Sequence, residues 1–364
     1  MWKRCLSFLS ILLGLAGFCA LPFIVGVHDL VQTIGQVGWL CIVLFIVNAA
    51  GTQIMPAIGW WMILRAEGIP ASLFTTLQAN LMGYPLNVMT PSMFLGGEPL
   101  KTLYLATVYD APKGQILATI IVAKFQELGG IILGMVAATA LFVWHTDYFT
   151  MRLEALLIAA LALLIGLFGL TLYTFIGPGK PLVTIVTFLA RSHLFPRLMA
   201  RLIALAHEVE ERIRTTLVYR RRVLLLAQII TCFSAVSIFI RPWIFFRALP
   251  HVTIGFDQLC VFFVLTNLVN TFTIIPGALG LFEATMAGYA IAAGLGDAEG
   301  AAFALVSRLA DLTLVTLGVW LIFHHGLTRI VRERKRSHTP TAALQGQPTD
   351  TSPVGTIDVS GPPG

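Results

Sequence analysis

Two pairs of oppositely charged residues lie inside long apolar segments of the sequence. Lys124 is followed three positions later by Glu127, and Arg308 is followed three positions later by Asp311. Four such charges facing lipid would cost on the order of 10 kcal/mol, so we expect them to face the protein interior. There the cations could bind a lipid phosphate, the acids could take up a coupling proton, or the members of each pair could bind one another.

Two glutamates, Glu98 and Glu283, follow glycine-containing breaks in other apolar segments. Each could be a first-turn acid that interacts favourably with a helix dipole, or a general base acting on a lipid substrate. Lys101 follows the first glutamate by three residues; it is counted among the cytoplasmic charges and is also a candidate substrate-binding residue. Arg241 and Trp60 lie near the ends of their apolar segments, where we interpret them as interfacial anchors.

The composition indicates an all-α integral membrane protein. Of the 364 residues, 57% are hydrophobic and only 12% are charged, which is about half the charged share of a soluble domain. The first apolar run is interpreted as a retained helix, since it is longer than a usual signal-peptide core and no clear cleavage site follows it. Six segments have the length of spanning helices: about residues 6–27, 39–64, 114–143, 155–176, 222–247 and 300–326.

Two further apolar stretches, residues 72–108 and 256–294, are interrupted in their middles by proline and glycine. Each half is about 17 residues long, which is marginal for crossing a bilayer. The sequence allows two short crossings or one re-entrant hairpin in each stretch. We assign two re-entrant broken-helix hairpins, which gives six spanning helices and two hairpins in total.

The distribution of lysine and arginine predicts the orientation. Most of the 24 basic residues fall in connections on one face of the membrane, which is the positive-inside signature. Both termini are then cytoplasmic, and we expect the chain to lie in a bacterial inner (plasma) membrane. Because the net charge of +6 is spread between apolar blocks, we expect no nucleic-acid partner.

A self-similarity at an offset of about 183 residues divides the membrane part into two copies, about residues 39–143 and 222–326. Span 39–64 begins outside and span 222–247 begins inside, so the copies are inverted. Inverted repeats with broken helices are typical of transporters, whose substrate site lies where the copies meet. The matching residues are Asn87, Thr90, Pro91, Gly96, Glu98, Lys124 and Glu127 in the first copy and Asn270, Thr273, Pro276, Gly280, Glu283, Arg308 and Asp311 in the second.

The segment between the copies, about residues 183–218, interleaves charged and apolar residues. It predicts an amphipathic helix on the cytoplasmic surface, with basic residues towards anionic lipid head groups; a solvated linker helix is the alternative. Residues 331–364 are rich in proline, glycine, threonine and serine, which predicts a disordered cytoplasmic tail after a membrane domain of residues 1–330.

Residues 276–283, with the sequence PGALGLFE, resemble the P-G-G-L-G-x-F-E motif of the flippase-like family that includes the transmembrane region of lysylphosphatidylglycerol synthases. Residues 96–101, GGEPLK, resemble that family's G-G-E motif with a following basic residue. The likeness extends over about residues 6–330. It departs at Ala278, which replaces the second glycine of the motif.

The resemblance implies a membrane domain with re-entrant helices that moves a lipid between leaflets. The residues that match the family motifs are Gly97, Glu98, Pro276, Gly277, Gly280 and Glu283. The chain lacks the soluble aminoacyl-transferase domain of the bifunctional relatives, so we do not expect it to make lysylphosphatidylglycerol alone. Members without that domain are linked to hopanoids, glycolipid precursors and other lipids.

Three functions fit these features. The leading hypothesis is a lipid translocator that is not driven by ATP, since no phosphate-binding loop with Lys-Ser/Thr is present. The alternatives are a membrane-embedded transferase that uses Glu98 or Glu283 as a base, and a scaffold subunit that binds lipid-biosynthesis enzymes. Five scattered cysteines give no paired spacing, and we expect neither a metal nor a cofactor.

Overall fold

The computed structural model describes residues 27–90, 96–145, 151–177, 179–190, 196–272 and 275–337. These residues form eleven α-helices and one 3₁₀ turn, Pro276–Ala278. The chain up to Leu321 is one compact unit, and the chain from Ile322 is a second unit. The helices are α1 (Val27–Ala66), α2 (Leu73–Met89), α3 (Glu98–Tyr109), α4 (Lys113–His145), α5 (Met151–Ile176), α6 (Pro181–Ala190), α7 (Pro196–Tyr219), α8 (Arg221–Arg247), α9 (Phe256–Phe272), α10 (Leu281–Ala292) and α11 (Asp297–Ser337).

Five helices are long and apolar enough to cross a membrane: Val31–Ala66, Lys113–Trp144, Leu157–Ile176, Arg221–Arg247 and Asp297–His325. They match five of the six predicted spans, and residues 6–26 of the sixth lie outside the described residues. Gly38, with a φ of 74°, interrupts α1 one residue before the predicted start of its span. Many large apolar side chains on these helices are exposed, as lipid-facing residues are in a membrane protein.

Each predicted broken stretch forms a pair of short helices. Helices α2 and α9 both have 17 residues, and α3 and α10 both have 12. The two pairs lie about 183 residues apart in the chain, which is the predicted offset. At 1.5 Å per residue the helices are about 26 Å and about 18 Å long, and both lengths fall short of a hydrocarbon core of about 30 Å.

The break between α9 and α10 depends on backbone conformations that favour glycine. Gly277 and Gly280 have φ angles of 62° and 78°, and residues with a Cβ rarely adopt this left-handed conformation. Ala278, the departure from the family motif, also has a positive φ of 52° and is buried. In the first stretch, residues 91–95, including Pro91, lie outside the described residues.

The bundle is held together by close helix contacts of the kind that small residues permit in membranes. Helix α4 packs on α9, where a Cβ on Gly134 would contact the Phe263 ring. Helix α11 packs on α2, where a Cβ on Gly318 would overlap Leu81 and Pro85. The first half contains α1–α4 and the second half α8–α11. The last helix of each half, α4 or α11, therefore contacts the 17-residue helix of the other half, α9 or α2.

The centre of the bundle is a cluster of aromatic rings. Fully buried phenylalanines from four helices surround Phe303, with ring centroids 5.4–6.1 Å apart; three of the pairs meet edge to face and one is stacked. Helices α1 and α8 pack beside this cluster, and Asn48 of α1 donates to both the carbonyl and the hydroxyl oxygen of Ser237 on α8. These partly buried bonds help to fix the pairing of the two helices.

The predicted amphipathic segment consists of two helices, α6 and α7. The apolar face of α7 is packed into the protein, since Val209 and Ile213 are buried against residues of α1, α4, α5 and α8. Glu210 of α7 accepts hydrogen bonds from the backbone N–H groups of Leu182 and Val183 at the start of α6. Helix α11 continues through Ser337, so residues 331–337 are helical rather than part of a disordered tail; residues 338–364 lie outside the described residues.

Candidate functional site

The start of α3 is held against α2 by a backbone contact that requires glycine. The backbone N–H of Gly97 donates to the side-chain oxygen of Asn87 at 2.6 Å. A Cβ on Gly97 would overlap the backbone of Gly83 in α2. Thr90 ends α2, and its hydroxyl donates to the Leu86 carbonyl at 2.8 Å. Asn87, Thr90 and Gly97, all predicted site residues, thus position the first residue of α3, Glu98.

Four charged side chains from α3 and α4 meet at this point, and we call them the first cluster: Glu98, Lys101, Lys124 and Glu127. Oε1 of Glu98 lies 3.4 Å from the Lys101 ammonium and 3.9 Å from that of Lys124. Lys124 also binds Glu127 at 2.7 Å. Lys101 and Glu98 are both buried, whereas Lys124 and Glu127 are half-buried, so the cluster extends from the apolar interior towards its edge.

Lys101 is a component of this cluster; the sequence had counted it among the cytoplasmic charges and had also named it as a candidate site residue. Its ammonium donates to the side-chain oxygen of Asn80 on α2 at 3.0 Å and lies 5.9 Å from the centre of the Trp60 ring. Trp60 is buried, and its indole N–H donates to Thr119 at 3.1 Å. The interpretation of Trp60 as an interfacial anchor was therefore wrong, because its indole bonds inside the protein.

A second cluster of four charges lies in the second half of the chain: Arg241, Glu283, Arg308 and Asp311. Glu283 of α10 has no exposed surface. Its Oε1 accepts from the guanidinium of Arg308 at 2.5 Å, and its Oε2 accepts from the backbone N–H of Gly280 at 2.7 Å. The Arg308 guanidinium lies 4.9 Å from the centre of the Phe282 ring. Gly280 and Glu283, two predicted site residues, thus start α10 together.

The partners of Asp311 come from other helices. Its carboxylate lies 4.0 Å from the Arg241 guanidinium of α8 and interacts electrostatically with Tyr84 of α2. Arg241 also donates to the side-chain oxygen of Asn48 at 3.2 Å. The simple pairing of Arg308 with Asp311 is therefore wrong, because Arg308 binds Glu283 instead. Arg241 is an interior ion-pair residue and not the interfacial anchor that the sequence indicated.

The remaining predicted site residues are less involved. Asn270 lies in the last turn of α9 and is half-buried. Gly277 and Pro276 form the 3₁₀ turn before α10. A Cβ on Gly277 would contact Val88 of α2, so this turn reaches the hairpin of the first half. Thr273 lies outside the described residues.

Each cluster contains one buried polar atom with an unused hydrogen-bonding capacity. In the described part of the chain, Oε2 of Glu98 and Nη2 of Arg308 have no hydrogen-bond partner. A buried acceptor and a buried donor left without partners are costly in an apolar interior. Oε2 of Glu98 could bind a proton or accept a hydrogen bond, and Nη2 of Arg308 could donate to an anionic group such as a phosphate. Among the described residues, no group of three or more histidine, cysteine or carboxylate side chains is placed to hold a metal ion.

Several residues of these networks were not predicted from the sequence, namely Asn48, Asn80, Tyr84 and Arg241. The sequence carried a signal for Arg241, because an arginine inside an apolar helix is expensive unless it faces the protein interior. Nothing in the spacing of the other three distinguishes them from ordinary polar residues of a helix. Their partners lie on helices distant in the chain.

Comparison with known proteins gives a consistent result. A family model described as the lysylphosphatidylglycerol synthase TM region matches residues 8–318. A UPF0104 membrane protein of Methanothermobacter thermautotrophicus is 24% identical over 324 residues, which cover 87% of this chain and 94% of the relative. A UPF0104 membrane protein of Methanocaldococcus jannaschii is 22% identical over 271 residues, covering 71% of this chain and 76% of the relative. No solved structure matches. With five apolar helices of spanning length, the chain is a multi-pass membrane protein.

Proposed function

The chain belongs to the family of the lysylphosphatidylglycerol synthase transmembrane region, and we propose that it is a translocator that moves a polar-headed or isoprenoid-type lipid between the leaflets of its membrane. Family membership supports a role in membrane lipid metabolism. The observation that carries the proposal is the pair of buried charged clusters, one at each helix break, inside an otherwise apolar bundle.

The positions of the clusters favour transport of a polar group. Charged side chains inside a membrane domain usually face a cavity, bind one another or mark a substrate path. Here most of the charge is paired, yet Glu98 and Arg308 each retain a buried atom without a partner in the described part of the chain. Such atoms can bind the polar head of a lipid while its tails stay in the bilayer.

The helix lengths support an architecture of two inverted repeats with re-entrant hairpins. The short pairs α2–α3 and α9–α10 have the same lengths at the same offset. Each long fourth helix packs on the hairpin of the other half at a glycine, Gly134 or Gly318. Repeats that contact one another in this reciprocal manner place their shared interface near the middle of the membrane. We propose that both termini are cytoplasmic and that the membrane is a bacterial inner membrane.

The assay for this function measures the exposure of a labelled head group. Purified protein is reconstituted into liposomes with traces of phosphatidylglycerol or phosphatidylethanolamine labelled with NBD on the head group. Dithionite then destroys the fluorescence of outer-leaflet probe. Protein-free vesicles keep the signal of the inner leaflet, whereas a translocator exposes that pool and the signal falls towards zero. An unchanged inner-leaflet pool with both probes would contradict the proposal.

Matched variants connect the activity to the clusters. Arg308→Lys keeps a cation beside Glu283 but removes the unpartnered Nη2, and it is expected to slow the loss of inner-leaflet signal at least tenfold, a change of about 1.4 kcal/mol in the barrier. Arg214→Lys is the control, because Arg214 is exposed on α7. A transferase would instead form a new lipid in detergent, which mass spectrometry of the incubated lipids detects.

A further inference from the structure

The carboxylate of Glu98 is buried without being fully bonded. The residue is 5% exposed, and its two contacts, with Lys101 and Lys124, both involve Oε1 at 3.4 and 3.9 Å. Its second oxygen, Oε2, has no hydrogen-bond partner among the described residues and no access to solvent. This oxygen is an acceptor in an apolar site, where a proton or a donor group would stabilise it.

We propose that Glu98 is a proton-binding site, and that a proton and an anionic lipid head group bind the first cluster together. This inference rests on the proposed lipid translocation and names its driving ion. The proton adds to Oε2, so the carboxylate becomes a neutral carboxylic acid and no existing bond to Oε1 has to break. The same proton leaves to water when the carboxylic acid ionises again.

The charges that face Glu98 explain why the two ligands would bind together. Lys101 on its own helix and Lys124 and Glu127 on α4 are the ionisable groups of the cluster, while α2 contributes the neutral Asn80 through Lys101. With all four groups ionised, the cluster has no net charge. A proton on Glu98 makes it +1 and weakens the hold of Glu98 on both lysines. The released positive charge can then bind a lipid phosphate.

The other buried carboxylates fit this role less well. Both oxygens of Glu283 are bonded, one to Arg308 and one to the Gly280 N–H, so a proton there would break a bond that α10 needs. Asp311 binds Arg241 and Tyr84. Oε2 of Glu210 also lacks a partner in the described part of the chain, but Glu210 caps α6 and has none of the lysines that surround Glu98.

Coupling between the proton and the lipid is reciprocal: each raises the affinity of the protein for the other by the same factor. A pH gradient should therefore drive the lipid across the membrane. With one proton carried per lipid, a pH difference of one unit supplies about 1.4 kcal/mol, which corresponds to a tenfold ratio of lipid between the leaflets. The accumulation should therefore follow the direction of the pH gradient and vanish when the gradient is removed.

The protonation is tested by infrared difference spectroscopy of the full chain in liposomes during acidification. We expect a C=O stretching band of a protonated carboxyl group that shifts in heavy water and is missing in Glu98→Gln. The control variant Glu211→Gln, altered at an exposed position of α7, keeps the band. A Glu98→Gln protein with the wild-type difference spectrum would overturn the assignment. Glu98→Asp retains a carboxyl group and should keep a shifted band, which covers the case in which the glutamine variant does not fold.

The coupling is tested in the same vesicles with head-group NBD-phosphatidylglycerol and a pH gradient imposed across the membrane. Wild-type protein should accumulate the probe about tenfold per pH unit, and Glu98→Gln should equilibrate it without accumulation. Probe movement that ignores the gradient, together with no Glu98 band, would disprove the proton site and leave the translocator standing. A Glu98 band without any probe movement would disprove the translocator and leave the proton site standing.

Discussion

The two glutamates in the first turns of the short helices α3 and α10 differ in how completely their carboxylates are bonded. Both are buried, both follow a glycine and both face a basic residue of the next long helix. Glu283 uses both of its oxygens in strong bonds, whereas Glu98 has two long contacts on one oxygen and none on the other among the described residues. The same residue type is thus fully bonded in one half and has an oxygen open to a further ligand in the other.

The difference arises from the position of each glutamate in its helix. Glu283 is the third residue after the start signal Gly280, and from there a glutamate side chain can reach back to the first N–H of the helix, as in a capping box. Glu98 directly follows Gly97 and cannot fold back in this way. Asn87 accepts from the Gly97 N–H instead, which leaves the Glu98 carboxylate available for another ligand.

The largest effect on stability is expected for Glu283→Gln. Removing one member of a buried ion pair leaves the other charge uncompensated and costs about 3–5 kcal/mol. We expect a strong decrease of the apparent Tm in detergent. The double variant Glu283→Leu with Arg308→Met, which removes both charges, should recover most of the loss. Equal Tm values for Glu283→Gln and wild type would show that the bonds of Glu283 do not stabilise the protein.

The next largest effect is expected for Gly97→Ala, because its Cβ would overlap the backbone of Gly83. Overpacking of this kind costs about 1–3 kcal/mol and would displace Glu98 from Lys124. The matched control is Gly288→Ala in α10, where a Cβ would have no neighbour within 4 Å; alanine should stabilise that helix by up to about 1 kcal/mol. The two Tm values should therefore shift in opposite directions.

Glu98→Gln should destabilise the protein less than Glu283→Gln does. Lys124 keeps Glu127 at 2.7 Å and Lys101 keeps Asn80 at 3.0 Å, and the lost contacts of 3.4 and 3.9 Å are long, so we expect a loss at the low end for hydrogen bonds to charged groups, about 1.5 kcal/mol. The same thermal unfolding experiment in detergent measures it. A loss as large as that of Glu283→Gln would remove the contrast between the two glutamates.

The smallest effect is expected for Tyr84→Phe. This change removes the hydroxyl of α2 that interacts with Asp311 of the second cluster, while Asp311 keeps Arg241. Single hydrogen bonds between membrane helices contribute about 0.6 kcal/mol on average. A double-mutant cycle with Asp311→Asn should return a coupling of that size, and a coupling of zero would mean that Tyr84 does not link the halves.

Much of the fold could be predicted because it depends on local properties of the chain. Apolar segment length predicted five segments that the structure confirms as helices long and apolar enough to cross a membrane, and the proline–glycine breaks predicted the two pairs of short helices. The offset of about 183 residues is reproduced by the starts of α2 and α9 and of α3 and α10. The predicted boundary of the disordered tail, at residue 331, was wrong, because α11 continues through Ser337.

Most of the charged residues of the candidate site were predicted from the sequence, but the bonds between them were not. The sequence indicated that Lys124, Glu127, Arg308 and Asp311 face the interior, since charges in lipid are too costly, and it selected Glu98 and Glu283 as acids at the helix breaks. Only the packed helices decide which charges meet, because Arg308 reaches Glu283 rather than its neighbour Asp311. Arg241 and Tyr84 join the second cluster through contacts between helices far apart in sequence, which no local pattern encodes.

The sequence by itself thus determined where helices form, where they break and which charges must be buried, because those outcomes follow from apolar length, backbone freedom and the cost of a charge in lipid. Tertiary structure alone decided how completely each buried charge is bonded. That quantity depends on atoms brought within about 3 Å of one another from separate helices, and it separates the saturated Glu283 from the open Glu98.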